Sequence, residues 1–261
     1  MVSESPARRQ VITAAAVLGV GLSGFFDGIL LHQLLQWHHL LSLVPGETFR
    51  SIETQIFADG MFHVLMYLVT AAGLYLLWRT RRQFAEGGVS WRTVTGGALL
   101  GFGIWNVVDV GFFHWILGIH RIRVDVPDPM IYDVAWLLIL GGTPLLTGWL
   151  LLRRARPGGG AGARGSAATL ALLALLAAPL ASLPPPGSST AVVLFASGGS
   201  PVRAFEAALA ANSPVLWMSP DGKLMAVRAE GAGSTATLYR AGATLVTRSP
   251  ALAGCAAAVR T

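Results

Sequence analysis

Five stretches of this chain, near residues 10–42, 55–78, 92–118, 130–152 and 166–185, are apolar over lengths that cross a bilayer, which takes about 20 residues of helix. That feature leaves few folds open, because backbone polar groups in hydrocarbon must be satisfied within the protein and each such stretch is therefore a helix. Only 12% of the 261 residues are charged, about half the share of a soluble domain. A disordered chain, a disulfide-rich secreted module and an ordinary soluble enzyme are excluded. The single cysteine, Cys255, rules out an intramolecular disulfide, a CxxC pair and a thiolate metal cage.

The formal net charge of +6 comes from arginines clustered beside the apolar runs. No basic groove with interleaved aromatics accompanies them, so the expected partner is the lipid bilayer and not nucleic acid. Arg8 and Arg9 precede the first helix; Arg79, Arg81, Arg82 and Arg92 lie between the second and third; Arg153, Arg154, Arg156 and Arg164 lie between the fourth and fifth. The alternate loops, with Glu47, Arg50 and Glu53 in one and Arg121, Arg123, Asp125 and Asp128 in the other, are near neutral. The positive-inside rule then predicts a multi-pass membrane protein, its N-terminus cytoplasmic and its C-terminus outside. Arg8-Arg9 before an apolar run could imitate a secretory leader, but no small-residue cleavage site follows and apolar character continues through Leu31. An uncleaved helix is expected.

Composition divides the chain into residues 1–156, a four-helix membrane domain; 157–187, a Gly-rich connector and the fifth helix; and 188–261, a small α+β domain. In that last part Ala191–Phe195 reads as a strand and Val202–Ala211 as a helix. Val215–Met218 and Leu224–Val227 read as a hairpin, and Thr235–Tyr239 with Ala243–Thr247 as a further strand pair. The fold class is thus an all-α transmembrane bundle, a four-helix core of two hairpins plus a fifth helix, carrying a small extracytoplasmic α+β domain. That domain is a candidate docking point for a membrane-complex partner; nothing in the chain sets the oligomeric state.

Ionisable residues inside membrane helices are costly and mark function. Here they gather: Asp27, His32, His38 and His39 on the first helix, Asp59 and His63 on the second, Asp109, His114 and His120 on the third, and Asp133 opening the fourth. All six histidines belong to this set. At about 1.5 Å per residue, Asp27 and Asp109 each lie roughly 25 Å from the arginine-rich ends of their helices. His63 reaches a similar depth from the opposite direction, so one layer in the outer half of the membrane collects them.

The layer repeats itself. Asp27–x4–His32–x5–His38 is matched by Asp109–x4–His114–x5–His120 on helices running the same way, which suggests two parallel hairpins about an axis along the membrane normal. A regular helix steps about 100° per residue, so it aims His32 roughly 140° away from Asp27 and cannot converge the set. Either two clusters exist or a distortion near Gly28 re-aims part of the helix.

Imidazoles and carboxylates without thiolate suit zinc, iron or copper in the divalent state. The number of donors exceeds the need of one ion, so the expected site is dinuclear, or mononuclear with orienting carboxylates. A b-type haem between facing histidines ranks behind a bare ion. The candidate ligands are Asp27, His32, His38, His39, Asp59, His63, Asp109, His114 and His120.

The run Gly24-Phe25-Phe26-Asp27-Gly28-Ile29-Leu30-Leu31-His32-Gln33-Leu34-Leu35-Gln36-Trp37-His38-His39-Leu40-Leu41-Ser42 carries a specific resemblance, as do Phe57-Ala58-Asp59-Gly60-Met61-Phe62-His63, Leu117–Arg123 and Tyr132-Asp133. Together they resemble a bacterial membrane family of unknown function, DUF2243, over roughly residues 10–152. The resemblance implies a small polytopic membrane protein without an assigned reaction. In that pattern an acid often precedes the position of His114 and a second histidine often follows that of His120. Phe113 and Arg121 stand there instead, which implies a second half that binds metal less completely, or one ion in all.

Two other signals carry little. Leu252–Cys255 spells a lipoprotein box at the wrong end of the chain, and Ala196–Ser200 is a Gly/Ser turn of the kind that binds anions only occasionally. The outer domain has no histidine and hence no Ser–His–Asp triad. The reading that results is a membrane metalloprotein with oxidoreductase chemistry foremost, and a non-catalytic metal-handling, transport or oxidase-assembly role as the alternative.

Overall fold

A computed structural model describes residues 5–85, 88–184, 187, 189–195, 200–229, 231–249 and 252–253. The helices are α1 (Pro6–Asp27), α2 (Glu47–Arg50), α3 (Ile52–Arg79), α4 (Arg81–Ala85), α5 (Trp91–Val108), α6 (Pro129–Trp136), α7 (Thr143–Arg153) and α8 (Gly160–Ala181). Helices α9 (Pro201–Ala210) and α10 (Gly231–Arg240) accompany strands β1 (Thr190–Leu194), β2 (Val215–Met218), β3 (Leu224–Arg228) and β4 (Leu245–Thr247). Three π-helical segments interrupt the long helices: Gly28–Leu34 extends α1, Asp109–Ile116 extends α5, and Leu137–Gly142 joins α6 to α7. Five continuous helices are thereby long and apolar enough to span a membrane: Pro6–Leu34, Phe57–Arg79, Trp91–Ile116, Pro129–Arg153 and Gly160–Ala181.

Starts are set by caps. Ser5 accepts the Arg8 N–H ahead of Pro6, and Asp128 accepts the Met130 N–H ahead of Pro129, each with proline at a position where no N–H is needed. The first helix stops at Leu34 and does not continue to residue 42. Gln36 takes a left-handed backbone (φ 50°), which ends the helical path although the side chains beyond it are apolar. The fifth helix begins at Gly160, earlier than its glycines suggest, because Ala163 is fully buried in the bundle core.

The chain forms two compact units. The first comprises residues 1–38 and 65–181. Its core packs Val11, Ala14, Ala15 and Leu18 of α1 with Leu77, Phe84, Val94, Ala98 and Ala174. Small residues allow the helices to touch: a Cβ on Gly101 would lie 1.9 Å from the Ala16 carbonyl oxygen of α1, and one on Gly148 2.8 Å from that of Gly96. Such close crossings are how helices associate in lipid, where the hydrophobic effect between helices is absent. At one end Arg8 donates to the Leu152 carbonyl (2.8 Å) and Gln83 to Gln10 (2.9 Å). There Arg81 stacks on Trp78 and Arg153 on Trp149, at 4.0 and 3.9 Å, an arginine–aromatic rim of the type found at membrane interfaces.

The second unit comprises residues 39–64 and 182–261. Its antiparallel sheet has the order β2-β3-β1-β4. β3 lies between the parallel pair β1 and β2, and β1 between the parallel pair β3 and β4, the split βαβ arrangement. Alternation along β1 sends Ala191 and Val193 into a core with Ala204, Ala207, Met225 and Leu238, and Val192 toward Leu224 on the other face. One expected strand is absent: Thr235–Tyr239 lies within α10. Packing overrides the β-propensity of its threonines, because the helix buries Leu238 completely against the sheet. Ala196–Gly199, the Pro185-Pro186 pair and Cys255 lie outside the described residues.

Candidate metal centre

The π-helical segments Gly28–Leu34 and Asp109–Ile116 each re-aim one triad. The i→i+5 bonding of a π turn places residues five apart on one side, the spacing of Asp27 to His32 and of Asp109 to His114. In the first unit Leu35 N–H bonds Leu30 O (2.9 Å) and Leu117 N–H bonds Phe112 O (2.8 Å). Trp37 N–H then bonds Leu31 O (2.9 Å) and Ile119 N–H bonds Phe113 O (3.1 Å). Both exits pass through a left-handed residue, Gln36 (φ 50°) or Gly118 (φ 64°). Every one of these pairs is 82 positions apart, as are the ligand candidates 27 and 109, 32 and 114, and 38 and 120. The spacing x4, x5 thus accompanies a π turn followed by a left-handed exit, and the two alternatives left open by the helical step, two clusters or a distortion near Gly28, occur together.

Two buried groups result, Asp27–His32–His38 and Asp109–His114–His120. Each offers one carboxylate oxygen and two ring nitrogens within 4.8 Å of one another. In the second group Asp109 Oδ2 stands 3.2 Å from His114 Nε2 and Oδ1 3.4 Å from His120 Nε2, close to the ligand–ligand edge of about 3.3 Å that a tetrahedral ion with bonds near 2.0–2.1 Å requires. The first group is wider, with Asp27 Oδ2 3.9 Å from His32 Nε2. The groups adjoin: His38 stacks on His120 with centroids 4.8 Å apart, and His32 meets His38 at 4.6 Å.

The tautomers are set from outside the triads. His38 Nδ1 lies 3.0 Å from the Ile122 carbonyl oxygen, which can only accept, so Nδ1 carries the proton and Nε2 the lone pair. Burial, with the His120 ring alongside, pushes the His38 imidazole down to about 3, so it is neutral at physiological pH. His38 Nε2 and Asp27 Oδ1 are buried without a hydrogen-bond partner. His114 Nδ1 lies 2.9 Å from Asp133 Oδ1, the carboxylate–histidine pairing that orients metal-bound imidazoles. Asp133 is fully buried and also accepts from Trp115 Nε1 (3.1 Å), Arg121 Nη1 (2.7 Å) and the Ile122 N–H (3.0 Å). With its lone pairs occupied it orients the His114 ring and has none left for an ion.

The remaining candidates, His39, Asp59 and His63, belong to the second unit. Asp59 Oδ2 meets His39 Nδ1 at 2.7 Å and Oδ1 accepts the Leu40 N–H at 2.9 Å. The His39 ring is half exposed, and its hydrogen bond to the Asp59 carboxylate raises its pKa above the usual 6.5. His63 Nδ1 donates to the Asp59 carbonyl oxygen of its own helix (2.7 Å). Asp59 and Asp133 thus hold matching turns: each accepts the N–H two residues beyond a triad's last histidine, Leu40 or Ile122, and pairs with the basic residue before it, His39 or Arg121. Arg121 accordingly occupies the place of the histidine expected from the family pattern. The Ile122 backbone was invisible in sequence because an apolar side chain carries no such signal, whereas the repeat length could have paired Arg121 with His39.

Searches of curated proteins and of solved structures found no match. A family model described as a predicted membrane protein, DUF2243, matches residues 14–155. That match covers more than half the chain, including both triads and Asp133, and the protein belongs to this family.

Proposed function

We propose that this is an integral membrane metalloprotein in which each triad binds one divalent transition ion, with Asp27, His32 and His38 as ligands to one and Asp109, His114 and His120 to the other. The observation that carries the reading is the buried, repeated triad in which the His38 Nε2 lone pair and the Asp27 Oδ1 oxygen have no hydrogen-bond partner. Uncompensated polar atoms at that depth are costly, and a cation offsets the cost for both. The set contains no sulfur, so zinc, iron and copper(II) are the matching ions. Asp133 and Arg121 form the supporting shell of the second triad.

On this reading the two halves are hairpins related by a pseudo-twofold axis along the membrane normal. The arginine–aromatic rim faces the cytoplasm of a bacterium, the triads sit in the outer half of the inner membrane, and residues 188–261 form an extracytoplasmic domain. The reaction class is oxidoreductase, the chemistry that iron or copper would supply if held by these buried histidines and aspartates. Metal handling without catalysis is the second reading, and the wider first triad, with its 3.9 Å separation, favours it as a more exchangeable site. Imidazoles packed at 4.6–4.8 Å suit a small ion shared between rings better than a macrocycle placed between them.

The test is optical and paramagnetic spectroscopy on natively purified protein in detergent, reduced with dithionite and re-exposed to O₂. Nitrogen- and oxygen-ligated iron or copper signals that disappear and return support the oxidoreductase. A Soret band identifies haem and contradicts the non-haem site. Bound zinc without redox signals leaves the metal site standing and contradicts the redox activity.

A further inference from the structure

The two triads have a single carboxylate in common behind them. Asp133 Oδ1 takes the His114 Nδ1–H at 2.9 Å and, on the same oxygen, the Ile122 N–H at 3.0 Å. The carbonyl of Ile122 then accepts the His38 Nδ1–H at 3.0 Å. The backbone of one residue therefore ties the first triad to the second: its carbonyl holds the His38 imidazole and its N–H is held by the Asp133 carboxylate that also holds the His114 imidazole. Ile122 is 1% exposed and Asp133 0%, so water does not compete for these bonds. The loops that bring them together are clasped by a second backbone bond, Val124 N–H to Trp37 O at 3.4 Å, and by Arg123, which lies over the Trp37 and Tyr132 rings at 5.0 and 5.5 Å.

We infer that Asp133 is a positioning residue for both metal sites, acting directly on His114 and, by holding the Ile122 backbone in place, on His38, so that the geometry of the first triad depends on a residue of the second half. The Ile122 N–H and carbonyl belong to adjacent peptide groups joined at Cα, so the effect is one of position: the N–H held on Asp133 fixes the carbonyl that receives the His38 Nδ1–H. Outer partners of this kind orient the ring whose other nitrogen binds an ion.

This inference rests on the metal reading above, and cobalt(II) titration in detergent separates the two. The intact protein is compared with His114→Ala, where the first triad alone remains complete, and with His114→Ala/Asp133→Asn and His114→Ala/Asp133→Glu. The measurements are cobalt affinity, the visible ligand-field spectrum, and helicity by circular dichroism. In the His114→Ala background, Asp133 reaches the remaining ion only by way of Ile122. Outer-shell changes of this kind typically cost about 10–100-fold in metal affinity. The expected result is a loss toward the lower end of that range, with a shifted cobalt spectrum, for Asp133→Asn, and partial recovery for Asp133→Glu. Unchanged affinity and spectrum in folded His114→Ala/Asp133→Asn overturn the coupling while leaving the metal sites intact. No cobalt binding by the intact protein overturns the metal reading itself. If the asparagine variant does not fold, Asp133→Glu decides alone: a shifted spectrum at the first triad supports the coupling, and an unshifted one refutes it.

Discussion

His38 and His39 are neighbours in the chain with opposite physical circumstances. His38 is buried, bonded through Nδ1 to a carbonyl, and neutral; His39 is half exposed and bonded to the Asp59 carboxylate. Replacing His38 with alanine should abolish binding at the first triad, whereas His39→Gln should retain the metal; metal retention after gel filtration distinguishes them. The pH dependence of the His39–Asp59 pair has a definite sign. Its pKa is raised in the folded protein, so its stabilisation is complete below the unfolded value near 6.5 and is lost as pH rises through the higher folded value. The difference in melting temperature between the native protein and His39→Gln should therefore be larger at pH 6 than at pH 9. A difference that grows with pH would mean that the pair does not stabilise the fold through a protonated His39.

At the scale of elements, the helices depend on small-residue contacts and the site on departures from α geometry. A side chain at Gly101 has no room against the Ala16 carbonyl oxygen, while a Cβ at Gly165 meets nothing within 4 Å. Gly101→Val should destabilise the bundle by about 1–3 kcal/mol, the usual cost of overpacking, and lower the melting temperature in detergent. Gly165→Ala should leave it unchanged or slightly higher. Much of this level was legible beforehand: apolar length located five spans, and the repeated Asp–x4–His–x5–His located both triads. The π-helical form was legible only as a contradiction, since a 100° step could not converge Asp27 with His32. Where the first helix ends was not legible, because the left-handed turn at Gln36 is a local backbone choice beneath a run of leucines. Thr235–Tyr239 was misread for a related reason, β-propensity being weaker than the burial of Leu238. The role of Ile122 was hidden altogether, because a backbone carbonyl is common to every residue.

The molecule as a whole has a proposed direction across the membrane. With Cys255 changed to serine, single cysteines at Thr48 and Asp125 should react with a membrane-impermeant maleimide in right-side-out vesicles, and cysteines at Arg82 and Gly158 only in inverted ones. The reverse labelling would place the triads on the cytoplasmic side and remove the positive-inside argument. The same polarity explains how a chain so poor in charge distributes it: arginines stack on aromatics at one end of the bundle, and aspartates with histidines occupy its interior toward the other. Most directly decisive is the metal content of the intact, detergent-purified protein by elemental mass spectrometry, compared with Asp27→Ala, Asp109→Ala and the double variant, each checked for folding. About two transition ions per chain are expected, falling to about one in either single variant and to none in the double, as one ion per triad requires. Folded native protein that retains no metal, or variants that retain as much as the native protein, would contradict it.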